Sequence, residues 1–86
     1  MRTAAKPEGH PLYQARVETP TGLRVVYITT IFGAGYQAWF SRDGQVFYSL
    51  AGGLRDESQA RSAARKYHRA NYIKWPTSAK WESYTP

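Results

Sequence analysis

The chain has 86 residues, 42% of them apolar and 15% aromatic, with a net charge of +6. One domain of this length buries only roughly 60–65% of the surface its unfolded chain exposes, so a thin core is expected. There is no cysteine for a disulfide framework or thiolate metal site, and no signal-peptide run or stretch of roughly 18 apolar residues, so a cytoplasmic protein without membrane contact is expected.

Residues 1–11 are polar, contain Pro7, Gly9 and Pro11, and read as a flexible arm. A single α+β domain is expected over 12–74, followed by an aromatic tail over 75–86. Leu12 to Glu18 (LYQARVE) alternates as a strand does, and Thr19-Pro20-Thr21-Gly22 is turn chemistry. Leu23 to Phe32 (LRVVYITTIF) is rich in β-branched and aromatic residues and predicts the second strand. Gly33-Ala34-Gly35 supplies a reversal, and Tyr36 to Ser41 and Gln45 to Leu50 predict two further strands.

Loop length decides which side chains share a face of the last hairpin, because a one-residue slip turns every side chain over. A two-residue turn at Asp43-Gly44 pairs Phe40 with Phe47 and divides the aromatics about equally. A three-residue loop, Arg42-Asp43-Gly44, gathers Tyr36, Ala38, Phe40, Val46, Tyr48 and Leu50 on one face. The other face then holds Gln37, Trp39, Ser41, Gln45, Phe47 and Ser49. The second register separates apolar from polar better and is preferred. If the Gly33-Ala34-Gly35 loop continues it, Tyr27, Thr29 and Ile31 join Trp39 and Phe47.

Helix signals follow Ala51-Gly52-Gly53-Leu54. Asp56 is placed to cap the first turn, with Gln59 three residues on, and good helix formers continue to about Tyr72. Pro76 forbids much continuation. At about 100° per residue, Ala60, Ala63, Ala64, Tyr67 and Ala70 form a small-residue stripe for the sheet. Arg61, Arg65, His68, Arg69 and Tyr72 fall on the other side. The expected fold is thus a four-stranded antiparallel meander with one C-terminal helix packed on one face. Trp39 and Phe47 would lie on the face away from the helix. There they are either covered by Trp75, Trp81 or Tyr84 of the tail, or offered to a partner, a second copy or stacked bases.

Charge is concentrated on the helix segment. Residues 55–74 carry six basic side chains against Asp56 and Glu57, which gives +4 of the total. Such a segment is either a solvated face or a surface for a polyanion. Reaction chemistry is not evident. The six carboxylates show no acid–base pairing, and His10 and His68 lack metal-ligand spacing. No enzyme activity, cofactor, metal or small-molecule substrate is expected.

The stretch Gly35 to Tyr67, GYQAWFSRDGQVFYSLAGGLRDESQARSAARKY, resembles the three-strand-plus-helix pattern of plant ethylene-response-factor domains and of the arm-binding domains of phage integrases. The shared features are an aromatic-x-Ala-x-aromatic strand, a DG turn and an alanine-rich helix. The resemblance implies a sheet set in the DNA major groove and braced by the helix, with Gln37, Trp39, Arg42 and Phe47 meeting DNA. Those families carry several basic residues on the reading strands, whereas here only Arg42 and Arg24 qualify. In format the chain is also similar to small phage-encoded inhibitors, anti-CRISPR proteins among them.

The expectation is a non-catalytic binding protein of a phage or mobile element. Arg61, Arg65, Lys66 and Arg69 would attract a polyanion, while Trp39 and Phe47 supply stacking, with Gln37 and Arg42 beside them. The target is nucleic acid or a host nucleoprotein complex. Two alternatives stand beside it: blockade of a CRISPR–Cas nuclease by protein contact, and a homo-oligomer with the Trp39 face between two copies.

Overall fold

The turn signals divide the chain into four long strands, each hydrogen-bonded to the next in sequence. The computed structural model describes residues 3–4 and 6–84. Its elements are β1 (Thr3–Ala4), β2 (His10–Glu18), β3 (Arg24–Phe32), β4 (Gly35–Ser41), β5 (Phe47–Leu54), α1 (Glu57–Asn71) and β6 (Glu82–Ser83). The strands form one six-stranded antiparallel sheet in the order β1-β5-β4-β3-β2-β6. The expected α+β meander and its helix are present, with a short strand added at each edge.

Those added strands come from the two ends of the chain. Thr3 and Ala4 pair with Tyr48 and Phe47, and Glu82 and Ser83 pair with Gln14 and Tyr13. Boundaries after residues 11 and 74 therefore do not separate an arm and a tail from the domain. His10 already lies in β2, and both ends cover part of an otherwise open sheet edge.

The β3–β4 turn corrects one expectation. Phe32 pairs with Gly35, leaving only Gly33 and Ala34 in the turn, with Gly33 at φ +63. Tyr27 then lies opposite Phe40, so Tyr27, Thr29 and Ile31 share the helix-side face rather than joining Trp39. Val26, Ile28 and Thr30 take the far face instead. Gly35 serves close approach, not the bend: a Cβ there would lie 3.0 Å from the Gly53 Cα.

The β4–β5 loop is longer than expected yet keeps the expected faces. Phe40 pairs with Tyr48 and Trp39 with Ser49, so the loop runs from 42 to 46. Asp43 organises it: its Oδ1 accepts from Gln45 N at 2.8 Å, Val46 N at 3.1 Å and Ser41 Oγ at 3.1 Å. These bonds, the Gln45 N–H foremost, hold the Asp43 carboxyl below its usual range. They also draw Gln45 and Val46 out of the ladder, and Val46 is exposed. Two extra loop residues preserve the parity of the pairing. Tyr36, Ala38, Phe40, Tyr48 and Leu50 therefore still oppose Gln37, Trp39, Ser41, Phe47 and Ser49.

Both faces of the sheet are apolar. On the helix side Ala15, Val17, Val25, Tyr27 and Phe40 pack with Ala64, and Tyr67, Trp75 and Trp81 close around them. Trp75 and Trp81 stack at 5.6 Å, and Trp75 Nε1 donates to Ala79 O at 3.3 Å. On the far side Ile28, Trp39 and Phe47 form a second cluster, with Val26 and Tyr84 against it.

Helix α1 starts as its capping signal predicts. Asp56 accepts from Gln59 N at 2.9 Å, and Gln59 Oε1 accepts from Arg55 N at 2.8 Å. The buried stripe is rotated from the expected one. Ala60, Ala64 and His68, four residues apart, are its fully buried members, while Ala70 is exposed. His68 thus belongs to the core and not to the basic face. The reason is a polar contact that hydropathy does not register: His68 Nδ1 and the Tyr27 hydroxyl lie 2.7 Å apart.

Candidate nucleic-acid interface

The residues expected to meet a partner separate into four groups by the contacts they make. Trp39 is 0% exposed, Phe47 7% and Gln37 9%. Trp39 Nε1 donates to Thr30 Oγ1 at 3.3 Å and to Gln37 Oε1 at 3.2 Å, which satisfies the indole inside the protein. Of the three tail aromatics named as covers, Tyr84 lies on this cluster, and Trp75 and Trp81 pack on the helix side. Trp39 and Phe47 thus offer no ring for stacking, and Gln37 no amide to a groove. The Trp39 ring is likewise not exposed to a second copy.

Arg61 forms the second group. Its Nε donates to Glu57 Oε2 at 2.9 Å, and that oxygen also accepts from Thr29 Oγ1 at 2.9 Å. The Arg61 guanidinium lies 4.5 Å from the Tyr13 ring centroid and 5.4 Å from that of Trp81. This arginine fastens β2, α1 and the chain's C-terminal segment together. Its side chain is partly exposed, with its charge engaged by Glu57 and two rings.

Arg65, Lys66 and Arg69 form the third group. All three are exposed, and among the described residues none makes an ion pair. Four of the six acids are engaged elsewhere. Glu18 pairs with Arg24 at 3.2 Å, Asp43 holds its own loop, Asp56 caps α1, and Glu57 holds Arg61. Like charges at i, i+4 destabilise a helix by about 0.2–0.5 kcal/mol, and Arg65 and Arg69 have that spacing. The C-terminal helix dipole offsets part of the cost at Arg69. His68 adds no charge at neutral pH, because burial pushes its pKa down from 6.5.

Arg42 stands apart from the face it was assigned to. Its Nε donates to the Tyr72 hydroxyl at 2.9 Å and its Nη2 to the Tyr67 hydroxyl at 3.4 Å. The loop thereby sets this arginine against two tyrosines near the C-terminal end of α1. Sequence periodicity assigns Tyr67 to the core stripe and Tyr72 to the basic face, without linking either to Arg42. The signal was the length of the loop, which the Asp43 hydrogen bonds set.

Among the described residues no three His, Cys, Asp or Glu side chains cluster as metal ligands would. No helix among them is long and apolar enough to cross a membrane. No family model, curated protein or solved structure matches the chain.

Proposed function

We propose that this chain is a non-catalytic module that binds nucleic acid through phosphate contacts on the outer face of α1. The observation that carries the reading is the exposed row Arg65, Lys66 and Arg69, left without acidic partners while the nearby acids serve the cap and the interior. A positive surface maintained against its own repulsion suits a polyanion. Arg65 and Arg69 are separated by one helical turn, about 6 Å of rise, so both can reach one phosphate chain. A host nucleoprotein complex with exposed nucleic acid would be met by the same face.

Fluorescence anisotropy of a short labelled DNA duplex over a series of salt concentrations tests this. Three phosphate contacts give a log–log slope of about −2.7, at roughly −0.9 each. Replacing Arg65, Lys66 and Arg69 together by Gln flattens that slope while the fold is retained. Binding that ignores salt, or a triple variant that binds as the parent does, removes the reading.

A further inference from the structure

We propose that Arg42, Tyr67 and Tyr72 form a phosphate-binding site that extends the α1 face onto the β4–β5 loop. The proposal rests on the nucleic-acid reading for its biological ligand, but its chemistry is that of any tetrahedral oxyanion.

A donor count carries it. Guanidinium has five N–H donors and no acceptor. Tyr72 takes the Nε–H and Tyr67 takes one Nη2–H. These occupy one edge of the guanidinium plane. Each tyrosine oxygen accepts from Arg42, so each hydroxyl hydrogen is directed elsewhere. Three Arg42 N–H donors are therefore left without an acceptor among the described residues, two of them on the end-on fork. An Arg fork matches phosphate geometry bidentately, and charge-assisted bonds of this kind are roughly twice as strong as neutral ones.

Two features of the surroundings oppose an anion, and each is partly offset. Asp43, next in sequence, has Oδ1 turned into its own loop by two backbone N–H groups and the Ser41 hydroxyl. The negative end of α1 opposes an anion, but Tyr72 N and Ile73 N both donate to His68 O, at 2.8 and 3.2 Å, and offset that end. Lys66 immediately precedes Tyr67 and is the exposed helix cation nearest to the site in sequence. The tyrosines are positioning residues: they hold a side chain that would otherwise sample many rotamers, with its fork pointing outward.

The test has two arms. In the first, the Arg42 Nε–H signal of the full chain is followed by NMR during titration with inorganic phosphate. A saturable shift, weakened in the Tyr67→Phe/Tyr72→Phe variant, supports the site; no shift overturns it, whether or not nucleic acid binds. In the second, the salt slope for a short DNA duplex is compared between the parent, Arg42→Gln and Arg42→Lys. One lost phosphate contact lowers the slope by about 0.9 in Arg42→Gln. Arg42→Lys keeps the charge but lacks the fork, and recovers only part of the affinity. An Arg42→Gln slope equal to the parent's overturns the extension and leaves the α1 reading standing. A parent that binds no duplex overturns the α1 reading, and the phosphate arm then decides the site alone.

Discussion

Trp39→Ala separates a core tryptophan from a stacking one, and its cost follows from the contacts. Trp39 is 0% exposed, packed with Ile28 and Phe47, and its indole N–H reaches Thr30 and Gln37. Truncating a buried tryptophan to alanine costs about 3–5 kcal/mol. A chain of this length has about 4–13 kcal/mol of stability in all, so the loss is a large fraction. At about 4–8 °C per kcal/mol, the melting temperature falls by more than about 12 °C. Trp39→Phe keeps most of the ring and costs less, about 1–2 kcal/mol, because Thr30 Oγ1 and Gln37 Oε1 lie 3.4 Å apart and remain bonded to one another. Urea titration followed by circular dichroism measures both. Nucleic-acid binding, assayed in the cold where the alanine variant is folded, stays at the parent value. A Trp39→Ala protein that unfolds at the parent's urea concentration yet loses nucleic-acid binding would refute the argument, because only a surface ring behaves that way.

Three further outcomes follow from the same contacts. His68 is buried with a pKa below 6.5, so the unfolded chain binds its proton more readily than the folded one. Stability from this group is complete above about pH 6.5 and is lost as the pH falls toward the folded value, and His68→Gln reduces that acid slope in urea melts at several pH values. Arg61→Ala leaves Glu57 with only Thr29 for Oε2 and no partner among the described residues for the buried Oε1. It should cost about 1–2 kcal/mol in a thermal melt and leave the salt slope for DNA unchanged, whereas Arg65→Gln reduces that slope and leaves stability nearly unaltered. Gly35→Ala sets a Cβ 3.0 Å from the Gly53 Cα, a backbone atom that cannot rotate aside, and lowers the urea midpoint by at least about 1 kcal/mol equivalent.

What the sequence made legible was what depends on local pattern. β-branched and aromatic runs located β3 and β4, and Asp56 with Gln59 located the start of α1. The parity of the last hairpin also held, because a five-residue loop and a three-residue loop present the same faces. The β3–β4 register was not legible, since Gly33-Ala34-Gly35 fits a two- or a three-residue turn equally well. Only the close approach of Gly35 to Gly53, on a strand still to come, selects the shorter one. The position of His68 was hidden for a related reason. Its burial depends on the Tyr27 hydroxyl, 41 residues away in the chain. Trp39 was placed on the correct face, but pattern alone does not reveal that Tyr84 returns to that face while Trp75 and Trp81 take the other.

The helix shows why counting charges in a segment does not by itself define a binding face. Arg61 and Arg65 are one turn apart and chemically identical, yet their surroundings give them different tasks. Arg61 follows Glu57 by four residues and points between Tyr13 and Trp81, so its charge is met by a carboxylate and two ring faces. Arg65 has Arg61 one turn before it and Arg69 one turn after it along its row, and no acid within one turn on either side. Moving outward by that single turn leaves an exposed Arg65, Lys66 and Arg69, while the β4–β5 loop sets Arg42 against Tyr67 and Tyr72. On the proposed reading a polyanion meets the exposed helix cations, and the Trp39 ring stays inside the protein. That ordering makes the salt response, rather than the loss of any aromatic ring, the measurement on which the functional reading turns.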